Sequence, residues 1–257
     1  MSQRLSFQLY SARSFQPWRQ VLIHLASCGY AEVEGFGDPA IYGDPERFRG
    51  LLQQNGLTMP TGHLFPLASL ETGRKKLLHA MRTLGVHALY CPYVPPGEQP
   101  TSAAGWKAWG KRLAATAEWL RGEGIAFGWH NHDFEFVKLK DGSFPIERIF
   151  EGGPLLDWEC DLAWVAFARQ NPVKWLRDYG DRITAVHLKD NAPKGSHLDE
   201  SGQTDVGAGT LKWPQIFAAI RHTRCRHLVV EHDNPKDFKT FAKRSYDFAS
   251  KMGGLAT

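Results

Sequence analysis

Three stretches of the chain end an apolar run with side chains that titrate or bind metals. Phe127-Gly128-Trp129 leads into His130-Asn131-His132-Asp133-Phe134-Glu135, Ala185-Val186 into His187-Leu188-Lys189-Asp190, and Leu228-Val229-Val230 into Glu231-His232-Asp233. In a strand, side chains alternate, so His130 and His132 fall on one side. Two imidazoles so placed ligate a metal or carry protons; the plainer alternative is a pair of hydrogen-bonded core histidines. Asp161 ends a fourth such run, Leu155 to Cys160. Asp161, His187 and Glu231 together offer two carboxylates and an imidazole, a set that suits Mn²⁺, Mg²⁺, Co²⁺ or Zn²⁺. Asp161 also reads as a helix N-cap and His187 as a buried structural histidine. Glu231 is the hardest to explain otherwise, because a carboxylate after Leu-Val-Val is costly to bury without a partner.

Around these lie candidates for substrate contact. Lys189, two residues after His187, is placed to hold a phosphate or polarise a carbonyl; a salt bridge to Asp190 is the alternative. Glu34 is expected to touch substrate hydroxyls or to hold His63. Trp129, Trp158 and Trp164 are expected on one rim, where indole faces pack on sugar C–H groups, although core packing is the commoner use of Trp. The Gly-rich segment Asp205-Val206-Gly207-Ala208-Gly209 lacks the phosphate-loop pattern. It is expected to approach the site closely or to be a plain turn.

These groups need a frame that gathers strand ends. Strand-like runs are expected at Leu5–Tyr10, Ala31–Gly35, Leu57–His63, Ala88–Tyr93, the stretch after Gly124, Leu155–Cys160, Ile183–Leu188 and His227–Val230. Between them, 3.6-residue periodicity predicts helices over Trp18–Ser27, Pro45–Asn55, Leu70–Leu84, Ala103–Glu123, Ile146–Glu151, Val173–Tyr179, Trp213–His222 and Lys236–Lys251. Strands alternating with helices argue for a parallel sheet with crossover helices, and eight such units suggest a closed (β/α)8 TIM barrel. No GxGxxG follows the first strand, which weighs against a dinucleotide-binding sheet. In a barrel of this kind functional groups collect at the C-terminal strand ends, which is where the candidates fall.

Length and composition agree. The 257 residues fit a single TIM-barrel domain over 1–257, and 42% hydrophobic residues can fill a sizeable core. A net charge of +4 is small for this length and does not indicate nucleic acid. The four cysteines are widely spaced without a CxxC pair, and the N-terminus lacks a signal-peptide core, so a cytoplasmic protein is expected. No apolar stretch approaches the ~20 residues a membrane helix needs. The expected partner is a small-molecule carbohydrate, with no nucleic acid and no membrane; a homo-oligomer is compatible with the sequence.

In order along the chain, Phe7-Gln8-Leu9-Tyr10-Ser11, Val33-Glu34-Gly35, His130-Asn131-His132-Asp133-Phe134-Glu135-Phe136, Asp161-Leu162-Ala163-Trp164, His187-Leu188-Lys189-Asp190, Val206-Gly207-Ala208-Gly209-Thr210 and Val230-Glu231-His232 resemble the sugar phosphate isomerase/epimerase family, the xylose-isomerase-like TIM barrels. The resemblance covers nearly the whole chain. It implies a divalent metal held by Glu, Asp, His and Glu from the fifth to eighth strands. Asp161, His187 and Glu231 match the last three, and the first falls at His130, a departure from the family pattern. His130 is then the expected fourth ligand, with His132 the second choice. The family's two-glutamate proton transfer would keep Glu231, while His130, His132 or Glu135 handles the other proton. The resemblance implies an isomerase or epimerase of a small sugar, sugar phosphate or keto-sugar working through an enediolate. Alternatives are an inosose-dehydratase-like lyase, for which the His-Asn-His run offers an acid, and a non-catalytic sugar-binding barrel. A DNA-repair endonuclease would need more metal ligands and a basic face than the sequence shows.

Overall fold

The strands form because β-branched and aromatic residues alternate with residues that face inward. In the computed structural model, which describes residues 4–253, they are β1 (Arg4–Gln8), β2 (Glu32–Gly35), β3 (Thr58–His63), β4 (Ala88–Cys91), β5 (Ala126–His130), β6 (Asp157–Asp161), β7 (Ile183–Leu188), β8 (Asp190–Asn191), β9 (Gln203–Thr204) and β10 (His227–Val230). Eight of them close into a barrel in the order β1-β10-β7-β6-β5-β4-β3-β2, every pairing parallel. β8 and β9 form a separate antiparallel ribbon. The expected (β/α)8 barrel is therefore the observed architecture.

Helices cover the barrel and take up the apolar outer face of its strands. Phe7 and Val33, Phe127 and Trp129, Trp158 and Cys160, Val186 and Leu188, and Leu228 and Val230 are all buried in that layer. The helix Trp18–Cys28 shows the matching stripe. It buries Trp18, Val21, Leu22, Leu25 and Cys28, and stops at Gly29, whose φ of 106° favours glycine.

Element ends shift where local chemistry intervenes. Tyr10 lies in a 3-10 turn, Leu9–Ala12, rather than in the first strand; the Gln8 side chain accepts from the Tyr10 N–H and turns the chain. The helix expected over Leu70–Leu84 is two, Leu67–Thr72 and Arg74–Leu84, broken at Gly73. β6 begins at Asp157 because Leu155 is exposed on the preceding turn. The ribbon and the short helix Leu162–Phe167 lie outside the sequence expectation.

Candidate active site

The barrel register sets the site. His130 pairs with Glu159 across β5 and β6, and Asp161 pairs with His187 across β6 and β7. Alternation from these positions turns Gln8, Glu34, His63, Glu159, Asp161, His187, Lys189 and Glu231 toward the axis, and all are buried. Buried polar groups persist only when paired, and here the pairing splits into two layers.

The deeper layer centres on Glu159. Its Oε2 meets His63 Nε2 in a short contact, His130 Nδ1 at 3.1 Å and His187 Nε2 at 3.3 Å. Glu34 Oε1 accepts from Gln8 Nε2 at 2.8 Å, lies 2.9 Å from His187 Nε2 and is 3.3 Å from His63 Nε2. Burial pushes the Glu159 carboxyl up, but His187 and His63 outweigh it and hold it well below the usual range. Burial and the neighbouring Glu159 charge raise Glu34. Burial opposes an imidazolium at His187, yet Glu159 and Glu231 lift it well above an ordinary histidine. His130 goes the other way, kept neutral by burial and by the charge on His187.

The upper layer centres on Lys189. Its ammonium lies 2.7 Å from Asp233 Oδ1, 2.8 Å from Glu231 Oε2 and 3.1 Å from Asp161 Oδ2. The partner considered from sequence, Asp190, is not among these. Burial would lower the Lys189 pKa, but Asp161, Asp233 and Glu231 raise it well above the ordinary value. Glu231 is depressed well below the carboxylate range: burial works against this, and Lys189 and His187 overcome it. Asp161 is indeed an N-cap: Oδ1 accepts from the Ala163 and Trp164 N–H groups, while Oδ2 turns to Lys189.

A cavity of about 640 Å³ opens above both layers. His63, His130, His132, Lys189, Glu231 and Asp233 supply its polar wall, and Tyr10, Phe36, Phe65, Tyr93 and Trp164 its aromatic one. His132 is neutral, its pKa lowered to about 4 by burial and then by the Lys189 ammonium. Arg13 stacks on Tyr10 and donates to the Asp233 carbonyl at 2.6 Å, fixing that edge.

Several expected positions fall elsewhere. Trp129 is packed edge-on against Trp109 and donates to Glu135, so it belongs to the outer layer and not to the cavity wall. Strand alternation is the reason, since His130 faces in. Trp158 likewise faces out and donates to Asn131 Oδ1 at 2.9 Å. Glu34 lies beneath the floor, where it orients His187 and His63 rather than lining the cavity. Glu135 is fully buried, accepts from Trp129 Nε1 and the His132 N–H, and is not part of the cavity wall. The Gly-rich loop wraps the Asp190 carboxylate, which accepts from the N–H groups of Gly207, Gly209 and Leu211 and from Trp213 Nε1. A Cβ at Gly209 would sit 2.3 Å from Asp190 Oδ1, so only glycine lets the loop close.

Three residues that matter were missed from the sequence. Glu159 was hidden two positions before Asp161, though alternation back from Asp161 points to it. Asn131 clamps two strand ends, its Oδ1 accepting from Trp158 Nε1 and the Asp161 N–H, and its Nδ2 donating to the Asp161 carbonyl. Asp233 follows Glu231 and His232 in sequence, but only the fold shows that it meets Lys189.

The family model for the xylose isomerase-like TIM barrel matches residues 22–251. The chain belongs to that family. Among solved structures, a sugar phosphate isomerase/epimerase from Parabacteroides distasonis superposes with a TM-score of 0.83 at 20% identity, covering 100% of this chain and 96% of that one. The probable 3-DHS dehydratase involved in petrobactin synthesis from Bacillus anthracis gives 0.75 at 12% identity, over 96% and 98%. D-psicose 3-epimerase with D-tagatose from Clostridium cellulolyticum H10 gives 0.72 at 12% identity, over 97% and 99%. At these identities the likeness shows a common fold. Comparison with curated proteins by sequence gives no match.

Xylose isomerase-like barrels invite the question of a metal. Two overlapping quartets bring their donor atoms within 4.8 Å of one another: His63, His130, Glu159 and His187, and His130, Asp161, His187 and Glu231. Glu159 Oε1 and Glu34 Oε2 are buried without a hydrogen-bond partner, whereas Asp161 Oδ2 has the Lys189 ammonium at 3.1 Å. Such orphaned carboxylate oxygens beside imidazoles fit a divalent cation. No helix among the described residues is long and apolar enough to cross a membrane.

Proposed function

We propose that this barrel isomerises or epimerises a small sugar, sugar phosphate or keto-sugar by moving a proton next to a carbonyl. The observation that carries the reading is Glu231, an ionised carboxylate on the cavity wall, 2.8 Å from the Lys189 ammonium and in the same cavity as neutral His132. Glu231 takes the proton from the carbon beside the carbonyl. A carboxylate with a depressed pKa is a weak base, so the substrate C–H must be acidified. Lys189 does this by stabilising the negative charge that builds on the substrate oxygen. His132, with one ring nitrogen protonated and one not, passes a proton between hydroxyl and carbonyl oxygens; neutral imidazole suits that shuttle better than imidazolium. Tyr10, Phe65, Tyr93 and Trp164 pack on C–H faces and orient the ring. A divalent cation held by the histidines and carboxylates of the floor would add Lewis-acid polarisation of the carbonyl.

A dehydratase remains the second reading, on one observation. His63 reaches the cavity, and Glu159 and Glu34 raise its pKa despite the opposing effect of burial. In a centre without metal it is the imidazolium able to protonate a leaving hydroxyl. His130 and His132, the acids considered from the sequence, are held neutral.

The test is incubation with ketoses, their phosphates and keto-cyclitols, with products read by NMR. An isomer or epimer supports the proposal. A dehydrated product selects the second reading, and specific sugar binding without any product reduces the barrel to a binding protein.

A further inference from the structure

We infer that His63, His130, Glu159 and His187 are the metal site of this barrel, one layer below the carboxylates of Asp161 and Glu231. The inference rests on the reading that the centre takes a divalent cation, and it says where and of which kind.

The two quartets differ in what already balances their charge. Asp161 and Glu231 share the Lys189 ammonium, at 3.1 and 2.8 Å, and that cation is permanent at any working pH. An added dication there would face a buried ammonium among the same oxygens, and like charges at such range repel strongly. Glu159 and Glu34 have no such partner. Among the described residues the only basic groups in ion-pair contact with them are imidazoles.

Geometry points the same way. His63 Nε2 and His130 Nδ1 bond to Glu159 Oε2, His187 Nε2 lies 3.3 Å from it and 2.9 Å from Glu34 Oε1, and Glu159 Oε1 is buried and unpartnered. The His63 and His187 rings stack at 5.3 Å, and the His130 ring stands 4.7 and 4.5 Å from them. Three imidazoles converging on one buried carboxylate make an N₃O donor set for a four-coordinate ion. Such a set prefers Zn²⁺ or Co²⁺ to Mg²⁺, which favours oxygen ligands. With Nε2 of His187 on the ion, its Nδ1–H donates to Glu231 Oε2 at 2.8 Å, the outer-shell carboxylate that fixes a ligating imidazole. His63 and His130 also line the cavity, so the site communicates with substrate.

Chelator-stripped protein titrated with Zn²⁺, Co²⁺ and Mg²⁺ tests this, with affinity by calorimetry, stoichiometry by elemental analysis and the visible spectrum of Co²⁺ as a geometric readout. The expected result is one Zn²⁺ or Co²⁺ per chain, a tetrahedral-type Co²⁺ spectrum and Mg²⁺ binding at least 100-fold weaker. Glu159→Gln should weaken Zn²⁺ about 100-fold or more, and Asp161→Asn by less than about 5-fold. Each variant is judged on a cooperative melt; if Glu159→Gln does not fold, His63→Gln takes its place. Zn²⁺ lost in Asp161→Asn, with or without loss in Glu159→Gln, overturns the placement and leaves the metal-dependent reading standing. No binding of any of the three ions overturns both.

Discussion

Glu159 on β6 and Glu231 at the end of β10 are both buried carboxylates facing into the barrel, with β7 between them, yet they are balanced in different ways. Glu231 shares a lysine whose charge is fixed, and it borders the cavity. Glu159 faces three imidazoles whose charge depends on protons, and it lies below the floor. A fixed ammonium makes Glu231 a permanent anion poised toward substrate. Titratable neighbours leave Glu159 suited to a cation that arrives from solution. On the proposed reading, the upper layer would transfer protons and the lower one would hold an ion.

The comparison breaks most visibly at Glu231. Glu231→Gln keeps the shape and removes the base, so turnover should fall about 10²–10⁴-fold, the usual worth of a positioned base. Zn²⁺ affinity should fall only about 10-fold, the low end for an outer-shell partner, because the Gln oxygen still accepts from His187. If turnover survives, the division of labour fails.

Lys189→Met removes the only lysine from the upper layer. Asp161, Glu231 and Asp233 would then face one another without a cation at the cavity wall. Removing one partner of a buried pair costs about 3–5 kcal/mol, so the melting temperature should fall by many degrees. Because the loss comes from uncompensated carboxylates, it should shrink as the pH falls through their range. An unchanged melt would show that the upper layer does not depend on its lysine.

Asn131→Ala tests the joint between the layers. It leaves Trp158 Nε1 and the Asp161 N–H unpaired in the interior. Each orphaned donor costs about 1–3 kcal/mol, so a loss of about 2 kcal/mol or more is expected, with kcat falling more than KM rises. A surface-like change below about 0.5 kcal/mol would remove Asn131 from the account.

A further effect concerns pH. Burial lowers both His132 and His232 to about 4 in the folded chain, against about 6.5 when unfolded. Between those values the unfolded chain binds more protons, so stability rises with pH through the window and is complete above about 6.5. It is lost as pH falls toward 4. His232→Gln should flatten part of that slope without altering the sugar site, whereas His132→Gln should flatten it and also impair turnover.

The barrel was legible in the sequence because eight apolar runs alternate with amphipathic stretches and carry ionisable residues at their ends. His130, His187, Lys189 and Glu231 were found because each ends such a run. Glu159 was not, because it sits inside the run Asp157-Trp158-Glu159-Cys160 and not at its end. Trp129 was misplaced for a related reason: the alternation that aims His130 inward sends its neighbour out. The Lys189–Asp233 contact joins residues 44 apart in the chain, and no local pattern encodes it. Asp190 looked like the natural partner of Lys189, but neighbouring strand residues point to opposite faces, and Asp190 holds the glycine loop instead.

The central claim is proton transfer at a carbon beside a carbonyl, with Glu231 as the base. The most direct measurement is proton NMR of candidate ketoses and keto-sugars incubated in D₂O with the Zn²⁺- or Co²⁺-loaded protein. The account predicts solvent deuterium at the carbon next to the carbonyl in recovered substrate or product, and its loss in Glu231→Gln. A sugar that binds in the cavity and is released with no deuterium, or exchange that persists in Glu231→Gln, would contradict it.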